Sequence, residues 1–398
     1  MSEIQLLSFG YVLFLLLIGG ELVFSRLVRR DRHYSLGQGV ANVGHGVVFQ
    51  VFDGFTKALV FAPFLFVASL VDPLLPMDAW WGWLIGFGAY DLSVYWRHRH
   101  HHEIGALWTV HGVHHAATDF NFAAALRQAL FGNITGWPWA LPLALFMPVE
   151  MFVVLVVIDY VYQFVQHTRY VPKLGPVEWI FNTPSHHRVH HGTEAKYLDR
   201  NYGGMLIVWD RLFGTFQVEE EEPTYGLTTQ LHHLDPVWGN FALVADLGRA
   251  ARAASTWRER LRVVFGSPER VAPEHVRRVE PPRPDEEVSP DRYLYVLVTF
   301  AAIPVLLGAL AWVPADAVAL RLAIGLLALS GAVAAAARLQ ERTWATALDL
   351  ARLVGALALA PFAVEPLLLA GLLLVPGSML LGLGLGLLPR PTARRSSL

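Results

Sequence analysis

A helix needs about 20 predominantly apolar residues to cross a bilayer, and this 398-residue chain contains nine runs that approach or exceed that length. They fall at residues 4–24, 41–71, 80–96, 125–146, 149–164, 294–313, 318–336, 344–362 and 367–388. Inside lipid every backbone N–H and C=O must be paired within the chain, so runs of this kind fold as helices. The expectation is an all-α, polytopic helical membrane protein. The first run has no basic segment before it and no small-residue cleavage site after it, so it reads as a spanning helix rather than a cleaved signal. The second run is long enough to tilt or kink. The fourth is interrupted by "GNITGWPWALP" and reads as broken or re-entrant.

Orientation follows from the basic residues. "RLVRRDRH" flanks the first run on its C-terminal side, which places that side in the cytoplasm. Counting spans puts 97–120, 167–292, "QERT" and "RPTARRSSL" on the same side, with "VDPLLPMDA" and "VPADA" opposite. The Ala/Arg/Leu-rich composition suggests a bacterial inner membrane. A net charge of −2 offers nucleic acid nothing, and the absence of cysteine excludes disulfides, thiolate metal sites and cysteine nucleophiles. Any metal must be held by His, Asp or Glu.

The histidines are crowded in three places on that cytoplasmic side. His98 and His102 are spaced H-x-x-x-H and are followed by Glu103; His111, His114 and His115 form H-x-x-H-H; His187, His190 and His191 repeat it. Residues three and four apart share a helix face, so each triplet presents a triangle of imidazoles. Together with the pair this makes eight, too many for one metal and suited to two. Imidazole alone leaves Zn, Cu, Fe and Ni open. A surface histidine tract accounts for "HRHHHE" by itself but not for two matching triangles far apart in sequence.

His167 closes a polar stripe of Asp159, Gln163 and Gln166 at the end of the fifth run and is a ninth candidate, with a packing role as the alternative. Glu103 could anchor a ligating imidazole through its N–H; a surface carboxylate is the plainer reading. His100, His101 and His186 lie beside the ligand positions and off their shared face. His45 reads as a hydrogen-bonded interior residue, and His33 and His275 as solvated. His232 and His233 have no helical partner.

"WRHRHHHE", "WTVHGVHH" and "SHHRVHH" resemble the three histidine boxes of the fatty acid hydroxylase/sterol desaturase superfamily. The flanking "HHAATDFNFAAALRQ", "FNTPSHHRVHHGTEAKYLDRNYGG", "NYGGMLIVWDRLFGTF" and "YGLT" resemble its alkylglycerol monooxygenase branch, over roughly residues 30–272. The resemblance implies a membrane di-iron oxygenase with two Fe ions on His98, His102, His111, His114, His115, His187, His190 and His191, and Glu103 at an acidic position beside the first box. It implies O2 and a lipid drawn from the bilayer as substrates. Electrons would come from outside, from an electron-donor protein or a reduced pterin such as tetrahydrobiopterin, since the chain shows no haem or flavin motif. Sterol, fatty acid and carotenoid hydroxylases or desaturases share the boxes and remain alternatives; a non-catalytic, histidine-rich metal-binding membrane protein is the rival of another class.

Three further expectations concern the surroundings of the boxes. Trp108 and Phe120 line a tail channel or simply pack; Asn121, Arg127 and Gln128 meet a glycerol head or cap the membrane edge. "NYGGMLIVWDRLFGTF" forms a Gly-hinged turn and an amphipathic segment on the membrane surface, with Trp209 and Phe213 at the interface and Asp210 and Arg211 either paired with each other or helping to seal the cytoplasmic cap over the metals. The acidic, proline-rich "EPPRPDEEVSP" divides a catalytic domain, 1–280, from a four-helix region, 281–398, whose spans carry almost no polar residue.

Overall fold

A computed structural model describes residues 3–271, 288–314, 316–363 and 365–384. His275, most of the proline-rich linker and the basic C-terminal tail lie outside the described residues. The long helices, in chain order, are α1 (Glu3–Val23), α2 (Leu36–Ala68), α3 (Trp80–Glu103), α4 (Gly105–His115), α5 (Val149–Gln166), α6 (Pro184–His190), α7 (Val208–Phe213), α8 (Pro236–Ala253), α9 (Trp257–Phe265), α10 (Pro290–Ala309), α11 (Val318–Leu339), α12 (Ala345–Leu359) and α13 (Pro366–Gly384). No strand forms among them; two isolated bridges, Phe181–Leu206 and Gly192–Tyr225, are the only β pairings described. Among the described residues five helical stretches are long and apolar enough to cross a membrane: Leu36–Ala68, Val149–Gln166, Pro290–Ala309, Val318–Leu339 and Ala345–Phe362. The protein is an all-α, multi-pass membrane protein.

The chain divides into two compact units. One comprises Met1–Val51, His232–Val237 and Glu280–Leu398; the other comprises Phe52–Leu231 and Trp238–Val279, so the divisions fall within α2 and α8.

In the first unit the alanine-rich face of α11 (Ala328, Ala332 and Ala334–Ala337) is buried, because residues this small let neighbouring backbones approach closely. Ile303, Leu306, Leu368 and Val375 complete the core. Gly371 permits one such approach: a Cβ there would lie 2.8 Å from a Leu306 methyl. These helices also bury a charged cluster that the apolar sequence pattern does not announce. The Asp349 carboxylate accepts from the Tyr295 hydroxyl, from Arg352 at 3.0 Å and from Arg338 at 2.8 Å.

In the second unit α3 and α5 pack through Tyr90, Val94, Met151, Phe152 and Leu155. The fourth apolar run is not a spanning helix. Asn121 caps a single turn at Phe122–Ala125, and further short turns follow at Gly132–Thr135, Trp137–Ala140 and Leu141–Leu145. Gly132 and Gly136 weaken the helix, and Pro138 and Pro142 remove donors from its ladder. The segment still runs much of the length of α3. At one end the Arg127 carbonyl meets His114, and at the other the Phe146 carbonyl accepts from Leu74 and Leu75 N–H at 2.9 and 3.1 Å, just ahead of α3.

Candidate metal centre

Nine buried or half-buried histidines gather in the second unit, in two groups whose ring nitrogens lie within 4.8 Å of one another. One pocket takes His98, His102, His111, His115 and His190; the other takes His114, His167, His187 and His191. All eight box positions are present, and His167 joins them. Each H-x-x-H-H triangle is split. On an α-helix residue i+4 lies about 40° from residue i and residue i+3 about 60° to the other side. The i, i+4 pair therefore shares a pocket while the i+3 residue points into the other one. His111 and His115 enter the first pocket and His114 the second; His187 and His191 enter the second and His190 the first.

The local fold fixes which nitrogen faces inward. Backbone carbonyls can only accept, so the ring atoms against them carry the protons. His98 Nδ1 donates to Tyr202 at 2.9 Å, His114 Nδ1 to Arg127 at 3.1 Å, His167 Nδ1 to Gln163 at 2.7 Å and His190 Nδ1 to Arg200 at 2.9 Å. Their Nε2 atoms are left as bare acceptors. Those of His114 and His167 nevertheless face each other at 3.1 Å, and neither has a proton to share. Two lone pairs at that distance repel unless a cation lies between them. Nε2 atoms of His98 and His111 approach to 2.8 Å, His111 and His115 to 3.1 Å, His167 and His187 to 3.0 Å, and His187 and His191 to 3.2 Å. The buried Nε2 atoms of His102 and His190 meet no hydrogen-bond partner.

With metal–nitrogen bonds of about 2.1 Å, ligands at right angles stand about 3.0 Å apart and tetrahedral ligands about 3.4 Å. The nearest Nε2 spacings, 2.8–3.2 Å, are those of imidazoles able to share a metal ion. Electrostatics agree with ligation by neutral imidazole. Burial pushes His98, His111, His115, His167, His187, His190 and His191 well below the ordinary histidine value, with neighbouring rings adding to the effect. Burial brings His114 down to about 4.

Three polar anchors hold the ligand-bearing segments in place. Asp91 on α3 accepts from Met205 N–H at 2.8 Å, Leu206 N–H at 3.1 Å and Trp209 Nε1 at 2.9 Å. Asp210 accepts from Tyr202 and Gly203 N–H, both at 2.7 Å, fixing the strap whose Tyr202 carbonyl receives His98. Arg188 on α6 forms a buried, two-pronged pair with Glu219 at 2.6 and 2.7 Å and donates to the Thr168 and Val171 carbonyls, tying α6 to the chain beyond His167.

Trp108 packs on His102 and His115, and Phe120 stacks on His167 and Tyr225, so both form pocket walls. Asn121 caps a helical turn, Arg127 Nε donates to the Val113 carbonyl and Gln128 donates to Ala125, in line with a local, backbone-holding role. The α7 segment packs on α3 and leaves Leu212 exposed. Trp209 reaches Asp91 and Phe213 stacks on Tyr95, because the strap is drawn onto α3. Asp210 serves backbone N–H groups rather than Arg211, whose guanidinium lies over Phe216 and Trp179.

Glu103 is exposed and pairs with Arg99 at 2.8 Å. The carboxylate beside a pocket imidazole is Asp199, 3.4 Å from His102 Nδ1, which no motif spacing marked. His100 meets Trp139, His101 meets Arg97 and Thr135, and His186 packs on Phe216, all outside the two groups. In the first unit His45 donates within its own helix to Ala41.

These features define a multi-pass membrane protein with a buried double histidine pocket. Residues 83–215, which contain all nine pocket histidines, match the model of the fatty acid hydroxylase family. Among curated proteins the chain is similar to human alkylglycerol monooxygenase, 37% identical over 232 residues covering 56% of this chain and 52% of the relative. It is likewise similar to the zebrafish (Danio rerio) alkylglycerol monooxygenase, 37% identical over 209 residues, 52% of this chain and 47% of the relative. Ornithine lipid hydroxylase OlsE of Rhizobium tropici is 26% identical over 237 residues, 54% of this chain and 69% of that protein. The chain spans about half the length of the alkylglycerol monooxygenases it matches. No solved structure is significantly similar to it.

Proposed function

We propose that this protein is a membrane di-iron monooxygenase that uses O2 to hydroxylate an aliphatic C–H bond of a lipid, and that its substrate is a 1-O-alkylglycerol ether lipid. The observation that carries the metal reading is the pair of bare Nε2 atoms of His114 and His167 facing each other at 3.1 Å. His98, His102, His111, His115 and His190 would hold one iron and His114, His167, His187 and His191 the other. The iron pair would supply O2 reduction and hydrogen abstraction at an unactivated carbon, with electrons from a reduced pterin or an electron-donor protein.

The chain's own residues prepare that chemistry. Burial keeps His98, His114, His167 and His190 unprotonated at neutral pH, and the carbonyls of Tyr202, Arg127, Gln163 and Arg200 fix their tautomers. Trp108, Phe120 and Tyr202 form apolar walls that keep water from the pockets. The apolar spans allow an alkyl tail to approach from the bilayer. Hydroxylation of the carbon beside an ether oxygen gives a hemiacetal, which collapses to an aldehyde and glycerol without further catalysis. Similarity to alkylglycerol monooxygenases over 52–58% of the chain supports this substrate. The cytoplasmic face of a bacterial inner membrane is the setting proposed for the pockets.

The test offers an alkylglycerol, a sterol and a free fatty acid side by side to membranes containing the protein, with O2 and reduced pterin. Release of a fatty aldehyde from the alkylglycerol alone is expected; turnover of only the sterol or the fatty acid would remove the substrate assignment. A second reading, hydroxylation of another membrane lipid without cleavage, is favoured by the fuller coverage of the ornithine lipid hydroxylase. It would yield a hydroxylated lipid and no aldehyde.

A further inference from the structure

Helix α9, "WRERLRVVF", belongs to none of the expected spans and to none of the histidine boxes. Its start is set by a reciprocal cap: the Thr256 hydroxyl accepts from Glu259 N–H at 3.2 Å and the Glu259 carboxylate accepts from Ser255 N–H at 3.0 Å. One residue, Val263, turns inward, where it packs with Leu247, Ala250 and Ala106. The opposite side carries a stripe of large exposed apolar residues, Trp257 at 66%, Leu261 at 47% and Phe265 at 62%, with the Arg258 guanidinium over the Trp257 ring. Their i, i+4, i+8 spacing places them within about 80° of one another around the helix axis. Exposed arginines flank the stripe, Arg260 on one edge and Arg258 and Arg262 on the other.

An apolar centre with basic borders is the pattern of a helix lying in the plane of a membrane surface, its stripe in the acyl boundary and its guanidiniums among the phosphates. The protein's own spans supply the bilayer. We propose that α9 is an interfacial helix that docks on anionic phospholipid headgroups.

The position of α9 gives the contact a consequence. Gly105, the first residue of α4, donates its N–H to the Gly266 carbonyl at 2.8 Å, and a Cβ on Gly105 would lie 2.9 Å from the Val263 carbonyl. The end of α9 is thus fitted directly against the start of the helix that carries His111, His114 and His115. Lipid engagement of α9 would steady that helix start.

The chain has no cysteine, so single labels can be placed without background. Leu261→Cys, Phe265→Cys and Glu259→Cys, each carrying a nitroxide, would be measured in the full chain in nanodiscs of phosphatidylcholine with and without phosphatidylglycerol. Unchanged helical circular dichroism would establish that each variant folds. Labels at 261 and 265 are expected to relax with O2, which concentrates in hydrocarbon, far more than with a water-soluble nickel chelate; the label at 259 should show the reverse. Phosphatidylglycerol should enlarge the contrast, and replacing Arg258, Arg260 and Arg262 with Gln should cancel that enlargement. Nickel relaxation at 261 and 265 as strong as at 259 in both lipids would overturn the proposal. So would labels open in both nanodiscs and shielded only when an acidic electron-transfer protein is added, which would make the stripe a protein-docking face.

Discussion

Both compact units bury polar side chains among apolar helices, and they do so in opposite ways. In the unit of the C-terminal helices, unlike charges meet: Asp349 takes Arg338, Arg352 and the Tyr295 hydroxyl on its two oxygens. In the histidine-bearing unit, like meets like: imidazole nitrogens converge on one another at 2.8–3.2 Å, and those of His114 and His167, at 3.1 Å, are both bare. A cluster of the first kind is complete in itself and fastens helices together. One of the second kind is stable only around cations. The comparison separates a structural clasp from a site, although both are buried and both are rich in ionisable groups.

The largest expected effect is on the metal. His167→Ala or His114→Ala should abolish turnover and halve the metal content, from about two equivalents per chain to about one. Asp349→Ala should leave the metal content unchanged. If Asp349→Ala strips metal as His167→Ala does, the contrast between clasp and site fails.

The clasp should show itself in stability instead. Breaking a buried ion pair by removing one partner costs about 3–5 kcal/mol. Asp349→Ala should therefore lower the denaturation midpoint in detergent, and an unchanged midpoint would make the cluster incidental.

Acid should act on the site first. His98, His111, His115, His167, His187, His190 and His191 are held well below the ordinary value of about 6.5, and His114 is held at about 4. Between those values the unfolded chain binds more protons than the folded one, so stability falls as pH drops from about 6.5 towards 4. Metal should be released over the same window, as measured by metal retention after acid dialysis. Retention down to pH values below about 4 would contradict neutral-imidazole ligation.

A smaller effect is expected at Asp199, the carboxylate nearest His102 Nδ1. Asp199→Asn should weaken metal binding in the five-histidine pocket by about tenfold, the low end for an outer partner of a ligand. His100→Ala, outside both pockets, should change metal content least of all. A loss there comparable to that at His190 would redraw the pocket boundaries.

These contrasts also explain what the sequence made legible. Helical spacing at 98/102, 111/114/115 and 187/190/191 revealed the faces, because 3.6-residue periodicity is local. The split of each triangle between two pockets is local geometry too, but it becomes visible only once both pockets are in view. His167 stood out through its polar stripe on an apolar helix. Asp199 did not, since its approach to His102 depends on a loop 97 residues away, with a positive φ of 58°. The clasp was hidden because Tyr295, Arg338 and the Asp349–Arg352 pair sit on separate apolar stretches and gain meaning only when three helices bring them together. The contacts of Trp209 and Phe213 with α3 were hidden for a similar reason: an amphipathic pattern says that a face is covered, not by what.

The most direct test is metal analysis of the iron-loaded protein combined with X-ray absorption at the iron edge. The account expects about two irons per chain, with first-shell nitrogen at about 2.1 Å and more ligands than four at the five-histidine pocket. One tightly held zinc per chain in tetrahedral coordination, with no stable iron loading, would contradict it.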